Sequence, residues 1–120
     1  MDPHFIIALF HIIAVVPFFG YIFYNRSSTQ EFIFNILFFV GLFVLVYHIY
    51  KSAIKISSGS KSLWVNLIHV FIIAPLIIYI GYQAKKTPRA AYELLGLVTF
   101  SALGYHLYNI ILMLNNNNED

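Results

Sequence analysis

The sequence predicts an all-α integral membrane protein, a four-helix bundle made by tandem repetition of one two-helix transmembrane hairpin. Three observations carry this expectation: the composition, four apolar runs of spanning length, and a match of the chain to itself at an offset of 58 residues. Of the 120 residues, 60% are hydrophobic and 10% charged, and the mean hydropathy is +0.77. Soluble domains lie near about half apolar and about a quarter charged, so a water-soluble fold of this size has nowhere to hide so much apolar surface.

The apolar runs and the charges that interrupt them place two spans in a first repeat, residues 1–58, at about 5–24 and 32–56. Two more fall in a second repeat, residues 59–114, at about 63–82 and 90–114. Each is long enough for a hydrocarbon core of ~30 Å at ~1.5 Å per residue. Period-two alternation is missing, and a membrane barrel needs at least about eight strands, so strands are not expected. The connections around Asn25–Glu31, Ser57–Lys61 and Lys85–Arg89 hold turn formers and charges, as short loops between antiparallel helices do. The opening Met1-Asp2-Pro3-His4 lacks the basic flank of a signal peptide, so the first span is read as a helix of the mature protein. Residues 115–120 form a polar tail that is expected to fray.

An even number of spans puts the termini and the middle loop on one side, with Lys51, Lys55 and Lys61. The other side carries Arg26, Lys85, Lys86 and Arg89, which gives no positive-inside bias; neither the cytosolic side nor the kind of membrane is assigned. The net charge of +2 lies mostly in the connections and points to the lipid bilayer as partner, not to nucleic acid, which needs a basic stripe on a folded surface. A homo-oligomer or membrane partner proteins remain compatible with the pattern. Cysteine is absent, which excludes disulfides and thiolate ligands.

At the 58-residue offset His11 falls on His69, Pro17 on Pro75, Tyr21 on Tyr79, Tyr24 on Tyr82 and Thr29 on Thr87. Tyr47-His48-Ile49-Tyr50 falls on Tyr105-His106-Leu107-Tyr108. Matches of Leu with Leu between apolar segments are trivial, whereas paired His, Pro and Tyr at one offset are not. A repeat of two spans inserts in the same orientation twice, which predicts a pseudo-twofold axis along the membrane normal.

The shared histidines are the candidate site. His11 and His69 lie six residues inside Phe5 and Leu63, ~9 Å along the helix, and His106 lies eight residues before Leu114, ~12 Å from the same side. His48 joins that layer if the second helix runs on to Ile56 while Lys51 and Lys55 snorkel outward. Small and polar residues share a stripe with three of them: Gly41, His48 and Ser52; Ser62, Asn66 and His69; Thr99, Ala102, His106 and Asn109. His11 is directed inward by analogy with His69. His4, whose counterpart is Ser62, reads as an exposed terminal residue.

A layer of neutral imidazoles is metal-ligating chemistry. Haem b held by bis-histidine pairs fits, with equivalent residues of the two repeats facing each other, His11 with His69 and His48 with His106; so does a transition-metal ion, Zn or Cu, on three or four of them. Tyr47, Tyr50, Tyr105, Tyr108, Asn66 and Asn109 are candidates for outer hydrogen bonds to these rings. Electron transfer is one resulting function class. A small proton or metal-ion channel or transporter is a second, and a structural membrane protein of a virion or organelle envelope, with histidines as packing glue, is a third. Tyr21, Tyr24, Tyr79 and Tyr82 read as an interfacial belt, Pro17 and Pro75 as kinks that free a carbonyl, and Glu93 as a local partner of Arg89. Nucleotide-binding glycine motifs, HExxH, GxSxG, paired carboxylates and a mid-span lysine are all missing, which argues against kinase, hydrolase and retinal chemistry.

Overall fold

A proline after an acidic cap opens the first helix, and a glycine in the left-handed region closes the second. The computed structural model describes residues 2–118, and among them all regular structure is helical. The helices are α1 (Pro3–Ser28), α2 (Glu31–Ser58), α3 (Leu63–Lys86) and α4 (Arg89–Asn118). All four are long and apolar enough to cross a membrane.

At the start of α1 the Asp2 carboxylate accepts the His4 N–H at 2.9 Å, with Pro3 in the first turn where its missing N–H costs nothing. His4 is exposed, as the sequence implied. Helix α2 continues past Lys51 and Lys55 to Ser58 and stops at Gly59, whose φ of 68° lets its N–H and that of Ser60 turn back to the Lys55 carbonyl. The Lys55 Nζ donates to the Ser62 carbonyl at 3.4 Å. The tail departs from expectation: α4 runs through Asn118, because Asn115–Asn118 contains no Gly or Pro to end the helix. Glu119 and Asp120 lie outside the described residues.

Local geometry recurs at the 58-residue offset. Both α1 and α3 widen into a π-helical turn, at His11–Val15 and His69–Ile73, return to α-helix over Val16–Asn25 and Ala74–Gln83, and end in a 3₁₀ turn, at Arg26–Ser28 and Ala84–Lys86. Arg26 and Ala84 are the non-glycine residues with positive φ among those described, at 49° and 52°. The proline accounts for the wide turn. Val16 and Ala74 donate their N–H to the carbonyls of His11 and His69, five residues back, and the next residue, Pro17 or Pro75, has no N–H to give. Two consecutive carbonyls in each helix, Ile12 and Ile13 or Val70 and Phe71, thereby lose their usual helical donors.

The chain divides into two compact units. The first joins α1, through Asn25, to α4 from Glu93 onward. Its helices approach closely at Gly96, where a Cβ would fall on the Phe23 ring, and Phe23 meets Phe100 edge to face at 6.2 Å. Ala8, Phe19, Ile22, Leu95, Thr99 and His106 are buried. The second unit, Arg26–Tyr92, holds α2 and α3. Here two glycines set the spacing: a Cβ on Gly41 would lie 2.6 Å from Ile78 Cγ1, and one on Gly81 would lie 2.6 Å from the Phe38 backbone nitrogen. Phe34, Leu37, Ile77 and Ile80 are fully buried. At one end Lys85 Nζ donates to the carbonyls of Ser27 and Thr29, both at 3.1 Å, and the Tyr92 hydroxyl donates to the Ala84 carbonyl at 3.2 Å.

Gly81→Ala is expected to destabilise the protein by about 1–3 kcal/mol, because the added methyl meets backbone that cannot rotate away. Gly20→Ala, where a Cβ meets nothing within 4 Å, should change stability by less than about 1 kcal/mol. Denaturant titration of the purified chain in mild detergent separates the two, and equal losses would refute the close contact.

Candidate functional site: two stacked histidine pairs

Each histidine of the site is placed by the helix that carries it. His11 and His69 open the π-helical turns of α1 and α3, and each ring bends back on its own helix: Nδ1 lies 2.8 Å from the Ile7 carbonyl in one and 2.7 Å from the Val65 carbonyl in the other. A carbonyl oxygen only accepts, so Nδ1 carries the proton and donates. In a neutral ring that leaves the lone pair on Nε2. His48 and His106 stand on the regular stretches of α2 and α4, each with the preceding tyrosine edge-on against it, Tyr47 at 5.1 Å and Tyr105 at 5.2 Å between ring centroids.

The rings pair within each compact unit. His11 stacks on His106 with centroids 4.4 Å apart and planes inclined by 24°, and His48 stacks on His69 at 4.1 Å and 18°. Stacking puts both members of a pair at one level. His106 is buried and the other three are half-buried. The stripes identified in the sequence face these contacts: Gly41, Ser52, Asn66 and Thr99 are buried along with His106.

The partnership differs from the one the repeat suggested. Each stack joins a first-helix histidine of one repeat to a second-helix histidine of the other. Two imidazoles stacked at 4.1–4.4 Å leave no space for a porphyrin between their faces. Among the described residues, no group of three or more His, Cys, Asp or Glu side chains is arranged to hold a metal ion, so each site offers a pair of imidazoles.

The outer residues divide sharply. Asn66 does touch the site: its Nδ2 is 2.8 Å from His48 Nδ1, while its Oδ1 is buried with no hydrogen-bond partner. An amide nitrogen donates, so His48 Nδ1 accepts and the ring proton sits on Nε2, opposite to His69. Tyr50 and Tyr108 are 63% and 61% exposed and form no hydrogen bond or ring contact among the described residues. Asn109 is half-buried with no side-chain hydrogen bond among them. Ser52 and Thr99 spend their hydroxyls on the carbonyls of His48 and Leu95, four residues back in their own helices.

Comparison with known proteins gives no matching family model, no significantly similar curated sequence and no significantly similar solved structure. The reading of the site therefore rests on its own geometry.

Sequence reasoning missed two contributors. The carbonyls of Ile7 and Val65, which orient the two first-helix rings, carry no side-chain signature. The π-helical turns were half signalled by the spacing of His and Pro six residues apart, which placed a missing N–H near the ring without showing how the helix would absorb it.

Double-mutant cycles with His11→Ala and His106→Ala, and with His48→Ala and His69→Ala, should each return a coupling of about 0.5–1.5 kcal/mol in unfolding experiments, as stacked rings in contact do. Additive losses within a pair would mean that the rings do not interact.

Proposed function

We propose that the chain is a multi-pass integral membrane protein, formed from two copies of a hairpin, whose histidine pairs bind a transition-metal ion within the hydrocarbon. Four apolar helices of spanning length support the membrane placement. The recurrence of wide turns, 3₁₀ turns and positive-φ residues at the 58-residue offset supports the duplication, and with it a pseudo-twofold relation between the copies.

The observation that carries the metal reading is the orientation of His11 and His69. Donation of Nδ1–H to a carbonyl fixes the tautomer that presents Nε2 as a ligand, and ligating histidines are held this way by their outer hydrogen bonds. Imidazole suits Zn, Cu, Fe and Ni. The stacked rings leave no room between them for haem, which needs one ring on each side of the macrocycle, and a compact ion would be shared by both only once the two ring planes swing apart. Each pair draws one histidine from each copy, so a single hairpin holds no pair and the site requires the duplicated chain or two associated hairpins.

A second reading has its own observation. The Asn66 to His48 bond links α2 to α3, and a polar bridge of that kind stabilises helix association in a membrane with no ion present.

Metal content and the visible spectrum of the detergent-purified protein decide between them. Near-stoichiometric metal in the wild type, with loss in His69→Ala and in His106→Ala, is expected. A colourless, metal-free wild type that does not take up added Zn²⁺ or Co²⁺ would leave the helix-adhesion reading in its place.

A further inference from the structure

The two repeats share their histidines but not their lysines. At the 58-residue offset Lys51 falls on Asn109, Lys55 on Met113 and Lys61 on Pro3, so none of these cations has a charged counterpart. All three lie in the unit of α2 and α3, at the end where Gly59 turns the chain. Lys51 and Lys55 are about one helical turn apart on the same face of α2, both half-buried, and Lys61 is exposed in the turn itself. The turn folds back onto Lys55: the N–H groups of Gly59 and Ser60 reach its carbonyl, and its Nζ donates to the Ser62 carbonyl at 3.4 Å. The Lys55 ammonium is thereby held over the turn that carries Lys61.

This positive charge has no acid beside it within the unit. Between Glu31 and Glu93 the sequence contains no Asp or Glu, and Glu31 stands ~30 Å along α2 from Lys51. Lys51 and Lys61 make no hydrogen bond or ion pair among the described residues. Like charges four residues apart on a helix repel each other, so an anion from outside the chain stabilises this end.

The surroundings point to the kind of anion. Lys51 stands seven residues before Ser58, ~10 Å back along a helix apolar enough to span a membrane, with Tyr50 and Ile54 exposed beside it. A soluble anion reaches the turn but gains nothing from that apolar surface. A phosphate that carries acyl chains uses both, with its headgroup on the ammoniums and its chains along the helix. Trp64, exposed on the first turn of α3, is a residue type that anchors at the level of the headgroups.

We propose that Lys51, Lys55 and Lys61 form a binding site for the phosphate headgroup of an anionic phospholipid at the α2–α3 turn. The proposal rests on the membrane placement above and is independent of the metal reading.

Trp64 is the one tryptophan of the chain and lies two residues beyond Ser62, so its fluorescence reports which lipid occupies the site. The test reconstitutes the full chain in phosphatidylcholine vesicles doped with either phosphatidylglycerol or phosphatidylcholine bearing brominated acyl chains, which quench a tryptophan on contact. The wild type should favour the brominated phosphatidylglycerol by about 10–100-fold, and each of Lys51→Gln, Lys55→Gln and Lys61→Gln should weaken that preference by about fivefold, the effect of one lysine near a charged headgroup. The triple glutamine variant should lose it, and raised salt should weaken it. Arginine at all three positions should keep it, which separates charge from folding, and Lys86→Gln, at the other end of α3, should leave it unchanged. Equal quenching by the two lipids, or a preference that survives the triple glutamine variant, would overturn the site and leave the membrane placement standing. Recovery of the fluorescence on adding inorganic phosphate would make the ligand a soluble anion and overturn the lipid. Quenching by neither lipid would overturn the membrane placement and the site together.

Discussion

A proline inside a helix has no N–H to give to the backbone ladder, and α1 and α3 answer that constraint in the same way. Each helix widens ahead of the proline, so that the residue before it donates five residues back, to the carbonyl of a histidine. The histidine thus sits where the helical ladder changes pitch. Its own ring settles against the carbonyl four residues earlier, which fixes both the direction of the imidazole and the nitrogen that keeps the proton. The prolines explain why His11 and His69 are more than polar residues that happen to lie in apolar segments: the backbone around each is already committed to an irregular turn.

Close packing then brings a second ring to each. Glycine at positions 41, 81 and 96 removes the side chain that would hold neighbouring helices apart, so that backbone and side chains of the facing helix come into direct contact. Buried Ser52 and Thr99 satisfy their hydroxyls within their own helices and so cost nothing at the contact. Lys85 works at the other end of α3, holding the Ser27 and Thr29 carbonyls left over by the 3₁₀ turn.

Much of this was legible in the residues, and the limits have physical causes. Helix number follows from composition and run length, and the polar stripes through His48, His69 and His106 follow from helical periodicity. A stripe defines a face and not the helix it meets, so the choice of His106 for His11, and of His69 for His48, needed coordinates. Asn66 was legible as a neighbour of the site because it shares a stripe with His69. Its contact with His48 on another helix was not. Tyr50 and Tyr108 were drawn in by sequence adjacency, two residues beyond each histidine, yet that spacing puts them well around the helix from it, on exposed surface. The asparagine tail misled for a different reason: polarity removes the incentive to bury a segment but does not unwind a helix already propagating through it.

The division into Arg26–Tyr92 and the two ends of the chain sets an order of assembly. Helices α2 and α3 are neighbours in sequence, joined by a few residues, and can meet while the ribosome is still at work. Helix α1 meets α4, the fourth helix in chain order, so its glycine-lined contact and its histidine stack wait until the three helices ahead of α4 have been made. Until then α1 is an early-born segment with a polar ring and no mate. The α1–α4 contact thus closes a loop of about seventy residues, whereas that of α2 with α3 closes over a few, and contacts of such large sequence separation form later than local ones.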